Sequence, residues 1–174
     1  RDEINPNKKL FERIKAVYEQ REEQNYTDEQ MYLLENLHKR YVRNGAELND
    51  EDQGKLKEIN QKMSKLGVQF GQNVLAETNA FKLVIENEED LAGLPESSIT
   101  GAAEAAADAG LEGKWVFTTH KPSMIPFLQY SEKRDLREKL YRAYTKRGDN
   151  DNEYDNKKIL SELIKLRVER ANLL

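Results

Sequence analysis

Residues 49–78 read NDEDQGKLKEINQKMSKLGVQFGQNVLAET, and this stretch decides the fold class. Apolar side chains recur in it at steps of three and four, the spacing that places them on one face of an α-helix. They are Leu56, Ile59, Met63, Leu66, Phe70 and Val74. Asn49 is suited to cap this helix, and about 30 residues rising 1.5 Å each predict a rod of roughly 45 Å. Gly67 and Gly71, four positions apart, predict a groove for close packing of another backbone.

Further helices are predicted on both sides of this one. An apolar stripe over residues 7–24 indicates a first helix, and a second is predicted from Thr27 to Arg43. Thr27 and Gln30 have capping-box spacing, and Asn44-Gly45 favours a helix end. Toward the C-terminus, an Ala-rich helix is predicted between Pro95 and Ala109. Two more are predicted, capped by Ser131 and Asp155.

The period changes from helical to alternating in two places. Phe81–Glu86 and Lys114–Thr119 alternate as strands do, and a two-stranded sheet is marginal unless it leans on helices or borrows a strand. Pro122 and Pro126 bracket a predicted loop. The sequence therefore predicts a mainly α protein, a multi-helix bundle with one long helix and a small two-stranded β element. Its predicted parts are a helical arm (1–80), a small αβ element (81–120) and a helical hairpin (121–174), within one segment (1–174).

Composition excludes several classes of function. With 28 Lys and Arg against 32 Asp and Glu, the net charge is −4, so the basic excess that nucleic acid requires is absent. No apolar run approaches the roughly 20 residues of a membrane span, and mean hydropathy is −0.90. Cysteine is absent, which rules out disulfides and thiolate chemistry in this sequence. We expect neither nucleic acid nor a membrane as a partner.

The residues alone indicate no self-contained active site. The two histidines, His38 and His120, are far apart and show no metal-binding spacing. Carboxylate runs at 50–52 and 88–90 have the character of solvated charge at helix ends or in a loop, because general acid–base work needs a desolvated carboxyl. The stripe over residues 56–74 also fits a coiled coil, so a non-enzymatic helical interaction module is a second interpretation.

Six stretches, taken in order, resemble peptidyl-dipeptidases (dipeptidyl carboxypeptidases) of the thimet-oligopeptidase family of zinc metallopeptidases. They are Arg43–Leu48 (RNGAEL), Lys55–Asn60 (KLKEIN), Phe70–Asn79 (FGQNVLAETN), Leu91–Pro95 (LAGLP), Gly113–Thr118 (GKWVFT) and Leu136–Ala143 (LREKLYRA). The resemblance covers nearly the whole chain. It implies a part of an enzyme that removes dipeptides from the C-termini of short peptides. A related endo-acting oligopeptidase is the alternative within the family.

The family's catalytic signature is H-E-x-x-H on a helix, in which two histidines bind zinc and the glutamate activates water. Here His38 is followed by Lys39-Arg40-Tyr41, and His120 by Lys121-Pro122-Ser123. The resemblance therefore implies an N-terminal, non-catalytic segment. Zinc would be bound in the full-length enzyme and not by this segment, which is predicted to be inactive alone. No catalytic or metal-binding residue is assigned here, and the implied partners are short peptides and the missing catalytic half of the same chain.

Such enzymes are mostly helical, with two halves that enclose a deep channel. The resemblance implies that this segment forms part of one channel wall, which admits short peptides and excludes folded proteins. Trp115, Phe117 and Phe127 are the candidates for side chains facing the channel. They belong to the second predicted strand and the loop after it.

Overall fold

The structure is a computed structural model that describes residues 8–174. Within these residues the chain is mainly α-helical, as predicted, with seven α-helices and one two-stranded sheet. The helices are α1 (Lys8–Glu19), α2 (Asp28–Val42), α3 (Asp50–Ala80), α4 (Glu96–Asp108), α5 (Lys121–Tyr130), α6 (Arg134–Thr145) and α7 (Lys157–Leu173). The strands are β1 (Leu83–Ile85) and β2 (Trp115–Phe117). The predicted start of the first helix, Asn7, lies outside the described residues.

The described residues divide into two compact units. The first unit contains residues 8–65 and Glu162–Leu174, and the second contains Leu66–Ser161. The predicted arm, αβ element and hairpin, divided at positions 80 and 120, stay a prediction. Within residues 8–174, no helix combines the length and the apolar character that crossing a bilayer requires.

The core of the first unit is small and aromatic. Phe11 of α1 and Tyr41 of α2 are buried, and their ring centroids lie 6.1 Å apart in a stacked arrangement. Tyr18 stacks on His38 with a centroid distance of 3.9 Å. His38 is therefore a packing residue of this unit.

The helix ends of the first unit follow the local sequence closely. The Gln30 N–H donates to Thr27 Oγ1 (3.3 Å) and the Thr27 N–H donates to Gln30 Oε1 (3.0 Å), which confirms the predicted capping box. The Asp52 N–H donates to Asn49 Oδ1 (2.9 Å), which confirms Asn49 as a cap. Gly45 has φ +85°, the left-handed conformation that ends α2 cheaply only at glycine.

The long helix is confirmed as α3, which has 31 residues. Leu56 of the predicted stripe is buried, whereas Ile59, Met63, Leu66, Phe70 and Val74 are half-buried. A Cβ built at Gly67 or Gly71 would meet no atom within 4 Å outside the adjacent backbone. No described residue therefore occupies the groove predicted at these glycines.

The second unit is built around the sheet. Strands β1 and β2 pair antiparallel, with Leu83 opposite Phe117 and Ile85 opposite Trp115. Helices α4, α5 and α6 contribute further side chains to the same core. Its buried members are Leu83, Ile85, Leu91, Leu94, Ala102, Phe117, Met124, Phe127 and Leu140. The sheet leans on helices, as predicted for so small a sheet.

The loop predicted between Pro122 and Pro126 is wrong, because these residues belong to α5. Pro122 lies in the first turn, where backbone N–H groups have no intrahelical partner, so its missing donor costs little. Pro126 lies inside the helix, a position that costs about 3 kcal/mol. Burying Met124 and Phe127 contributes about 1.5–3 kcal/mol each, and this offsets the cost.

The helix predicted after Ser131 exists as α6, but it begins at Arg134 with Lys133 as its cap residue. Ser131 is buried, and its Oγ accepts from the Lys133 N–H at 3.2 Å. Ser131 therefore closes the turn before the helix, so its predicted capping role is wrong by two residues.

Candidate functional site

A buried carboxylate is the central polar feature of the second unit. Glu77, in the last turn of α3, is 8% exposed. Its hydrogen-bond donors come from the loop between α6 and α7: the Gly148 N–H, Asn150 Nδ2 (2.9 and 3.0 Å) and Asn152 Nδ2 (2.7 Å). We call these four residues the Glu77 cluster. All the donors are neutral, so hydrogen bonds rather than an ion pair compensate the charge.

Competing effects set the pKa of Glu77. Burial is the largest single effect and raises the pKa. The hydrogen bonds from Gly148, Asn150 and Asn152 together lower it by more, so the pKa lies below the ordinary value of 4.5. Asp155 opposes them weakly through charge repulsion. A general acid or base needs a pKa near the working pH. Glu77 therefore stays ionised at neutral pH and anchors the loop instead of exchanging protons.

A second set of hydrogen bonds, centred on Gly148 and Asn156, connects the same loop to α3. Gly148 has φ +78°, and a Cβ added there would lie 2.7 Å from Asn156 Nδ2. The Asn156 N–H donates to the Gly148 carbonyl at 2.7 Å. The Asn156 amide donates to the Phe70 carbonyl (3.2 Å) and accepts from Asn73 (2.9 Å), both on α3. The loop is thus held to α3 along two of its turns.

Thr78, the neighbour of Glu77, is bonded to two further parts of the second unit. Arg147 Nη1 donates to Thr78 Oγ1 at 3.0 Å, and its guanidinium lies 3.9 Å from the Tyr144 ring centroid. Thr119, which is 1% exposed, donates through Oγ1 to the Thr78 carbonyl at 3.2 Å. The C-terminal end of α3 is therefore tied both to the end of α6 and to the segment after β2.

Beside the cluster, Lys157 sits among three aspartates. Its Nζ lies 2.8 Å from a carboxylate oxygen of Asp149, of Asp151 and of Asp155. The hydrogen bond from Lys157 is the main cause that lowers the pKa of Asp155 to about 2. The three aspartates, Asp149 first, raise the pKa of Lys157. The ammonium group thus offsets one of the three negative charges of this turn.

An open pocket of about 470 Å³ adjoins the Glu77 cluster. Its lining combines apolar side chains with a carboxylate, cations, amides and a phenol. The lining residues are Glu77, Ala80, Phe81, Arg142, Ala143, Lys146, Asn150, Asn152 and Tyr154. Arg142 is engaged by Glu138, with Nε 2.7 Å from Oε1. A mixed apolar and polar lining is typical of ligand pockets, and the Glu77 cluster holds part of this lining in place.

The first unit has a pocket of a different character, with a volume of about 550 Å³. Four cations surround it. The lining residues are Leu33, Asn36, Leu37, Lys39, Arg40, Arg43, Asn44 and Arg170. Lys39 and Arg40 belong to the last turn of α2, where positive charge favours the negative end of the helix dipole. The helix dipole therefore gives Lys39 and Arg40 a role in stabilising α2, apart from any ligand.

Comparison with known proteins gives the lineage. The model of Peptidase family M3 matches residues 127–174. Oligopeptidase A of Haemophilus influenzae is 38% identical over 98% of this chain and 26% of that protein. Dipeptidyl carboxypeptidase of Escherichia coli is 35% identical over 99% of this chain and 25% of that protein. The chain belongs to peptidase family M3.

A plant relative widens the comparison. Organellar oligopeptidase A of Arabidopsis thaliana, chloroplastic/mitochondrial, is 33% identical over 98% of this chain and 22% of that protein. The chain therefore spans about a quarter of the length of the curated M3 relatives it matches. The family membership confirms the resemblance that we drew from the six quoted stretches.

The three predicted channel residues lie in different surroundings in this M3 segment. Phe117 and Phe127 are 1% and 0% exposed, and their ring centroids are 4.6 Å apart with planes tilted by 58°. Both rings lie in the core of the second unit, where they pack against each other. Trp115, the first residue of β2, is half-buried at the edge of that core. Of the three side chains, Trp115 alone reaches the surface of the unit.

In the part of the M3 segment that the structure describes, no three His, Asp or Glu side chains are grouped to hold a metal ion. His38 is engaged by the rings of Phe11 and Tyr18. His120 is exposed and occupies the cap position of α5. His38 therefore serves the packing of its own unit, whereas the His120 side chain makes no capping hydrogen bond to α5.

Sequence reasoning missed the Glu77 cluster. The available signals were a polar turn over residues 149–156 and Glu77 itself in the quoted stretch Phe70–Asn79. Neither signal indicates a pairing, because Glu77 and Gly148 are 71 positions apart. Only the tertiary fold, which places the loop after α6 on the last turn of α3, brings them together.

Proposed function

We propose that this chain is the N-terminal, non-catalytic segment of a zinc metallopeptidase that removes dipeptides from the C-termini of short peptides. The observation that carries this proposal is the 35% identity, over 99% of the chain, to a protein named dipeptidyl carboxypeptidase. M3 membership supports the peptidase chemistry. The zinc would be bound outside this segment, since His38 and His120 both lack the H-E-x-x-H context.

Within that enzyme, the second unit would contribute to a wall of the substrate channel. The pocket beside the Glu77 cluster supports this role, because its lining combines apolar Phe81 and Ala143 with polar Lys146 and Asn150. Trp115 is the candidate from the sheet that would face the peptide. Phe117 and Phe127 would support this wall indirectly, because the contact between their rings keeps β2 packed against α5.

An endo-acting oligopeptidase is the second candidate, and a specific observation favours it. Oligopeptidase A of Haemophilus influenzae is 38% identical over 98% of the chain. The two activities differ at the substrate's C-terminus. An enzyme that releases C-terminal dipeptides needs a free carboxylate there, whereas an internal cleavage tolerates an amide.

The test is hydrolysis of short peptides with added zinc, by the full-length peptidase and by this chain alone. Chelator-sensitive release of C-terminal dipeptides by the full-length protein, lost when the substrate C-terminus is amidated, supports the proposal. Cleavage that survives amidation favours the oligopeptidase. Activity of the chain alone contradicts a non-catalytic segment. A full-length protein that is inert under all conditions contradicts both enzymes and leaves the helical interaction module.

A further inference from the structure

Helix α7 carries an apolar stripe on its outside. Leu160, Ile164 and Val168 recur at every fourth position, so they share one face of the helix. Their exposed fractions are 51%, 54% and 55%. We call these three side chains the outer α7 face.

The same helix has a second apolar face that is already covered. Ile159 and Leu166 are 8% and 3% exposed, and Leu163 between them is half-buried. Charged side chains form a third stripe, at positions 158, 162, 165 and 169. A helix at a protein surface presents one apolar stripe to the core and polar residues elsewhere. An apolar character on two faces is typical of a helix that is covered on two faces.

We propose that the outer α7 face packs against the remainder of the same M3 peptidase polypeptide, through an apolar helix surface of that part. This inference rests on the proposed function, which makes the chain one segment of a longer enzyme. The chain covers 26% and 25% of two relatives, so each of them is about four times as long and has ample further chain to cover this face.

The extent of the face argues against a second copy of the chain as its occupant. A stable interface between separate molecules buries about 800 Å² on each partner. Three aliphatic side chains that are half-covered already offer far less than that. A contact within one polypeptide avoids the loss of translational and rotational freedom, so a small apolar face is sufficient.

Thiol labelling in the full-length peptidase tests the proposal. Residues 1–174 contain no cysteine, so labelled peptides from this segment report only an introduced thiol. We compare Ile164→Cys with the matched control Lys165→Cys, the next residue on the charged stripe. Burial predicts native-state labelling of Ile164→Cys at least about tenfold slower than that of Lys165→Cys, and equal rates after denaturation.

Equal native rates for the two thiols overturn the proposal. Protection of Ile164→Cys that disappears on dilution, with dimers seen by sedimentation, also overturns it and assigns the face to a second copy. If Ile164→Cys changes the thermal unfolding midpoint, Val168→Cys with its neighbour Glu169→Cys repeats the comparison. Labelling does not depend on hydrolysis. A protected thiol in an inert protein therefore keeps this inference and contradicts the proposed function, and an exposed thiol in an active enzyme does the reverse.

Discussion

The carboxylate of Glu77 accepts a hydrogen bond from the backbone N–H of Gly148, 71 positions later in the chain. This contact joins the last turn of α3 to the loop between α6 and α7. Because Asn150 and Asn152 donate to the same carboxylate, three neutral donors replace the water that Glu77 loses on burial. The arrangement stabilises the pocket wall next to Phe81 and Lys146.

Removing this carboxylate is expected to destabilise the second unit. Glu77→Ala leaves the Gly148 N–H and two amides without their acceptor. A single hydrogen bond to a charged group contributes about 1.5–3 kcal/mol to stability, so we expect a loss of at least that size. Urea unfolding of the chain measures the loss. The matched control is Glu138→Ala, an exposed glutamate paired with Arg142, whose effect stays within about 0.5 kcal/mol. Equal losses for the two variants contradict the anchoring role of Glu77.

The lowered pKa of Glu77 predicts an acid-dependent loss of stability. A carboxyl whose pKa is lower in the folded than in the unfolded state contributes stability that is present above its unfolded value, here 4.5. That contribution is lost as the pH falls through the lower, folded value. The free energy of unfolding should therefore decrease between pH 7 and about pH 3. Glu77→Gln should flatten this decrease, and a profile identical to that of the wild type contradicts the prediction.

Gly148 and Gly110 allow backbone strain to be separated from crowding. Their φ angles are +78° and +71°, so alanine at either site costs about 1–2 kcal/mol of backbone strain. An added Cβ at Gly148 would also lie 2.7 Å from Asn156 Nδ2, whereas at Gly110 it would meet nothing within 4 Å. Gly148→Ala should therefore lower the thermal unfolding midpoint further than Gly110→Ala. Equal shifts would show that Asn156 yields without cost.

Trp115 and Phe127 are expected to respond differently to truncation. Phe127 is fully buried, so Phe127→Ala should cost about 3–5 kcal/mol of stability in the chain. Trp115 is half-buried at the core edge, so Trp115→Ala should cost less stability. If Trp115 faces the substrate channel, the same change in the full-length peptidase raises the KM for short peptides. Unchanged peptide kinetics together with unchanged stability would remove Trp115 from the channel wall.

Local signals predicted much of the helical structure. The Thr27–Gln30 capping box, the Asn49 cap and the left-handed Gly45 all act within four residues, so propensity and hydrogen bonding at short range determine them. The same signals failed at Pro122 and Pro126. A proline pair favours a loop locally, but the burial of Phe127 in the core of the second unit outweighs that preference.

By itself, the sequence determined the mainly α class, the long helix α3, the two strands and, through its resemblance, the M3 family. Tertiary structure alone decided which polar residues meet. Glu77 reads as one more surface glutamate of a charged helix, and Asn150 as part of a solvated turn, until the two are 2.9 Å apart. Helix periodicity encodes which face of an element is buried, but it carries no record of which distant loop covers that face. Burial then makes a hydrogen bond to Glu77 necessary, because an unpaired buried carboxylate would cost more than the fold can supply.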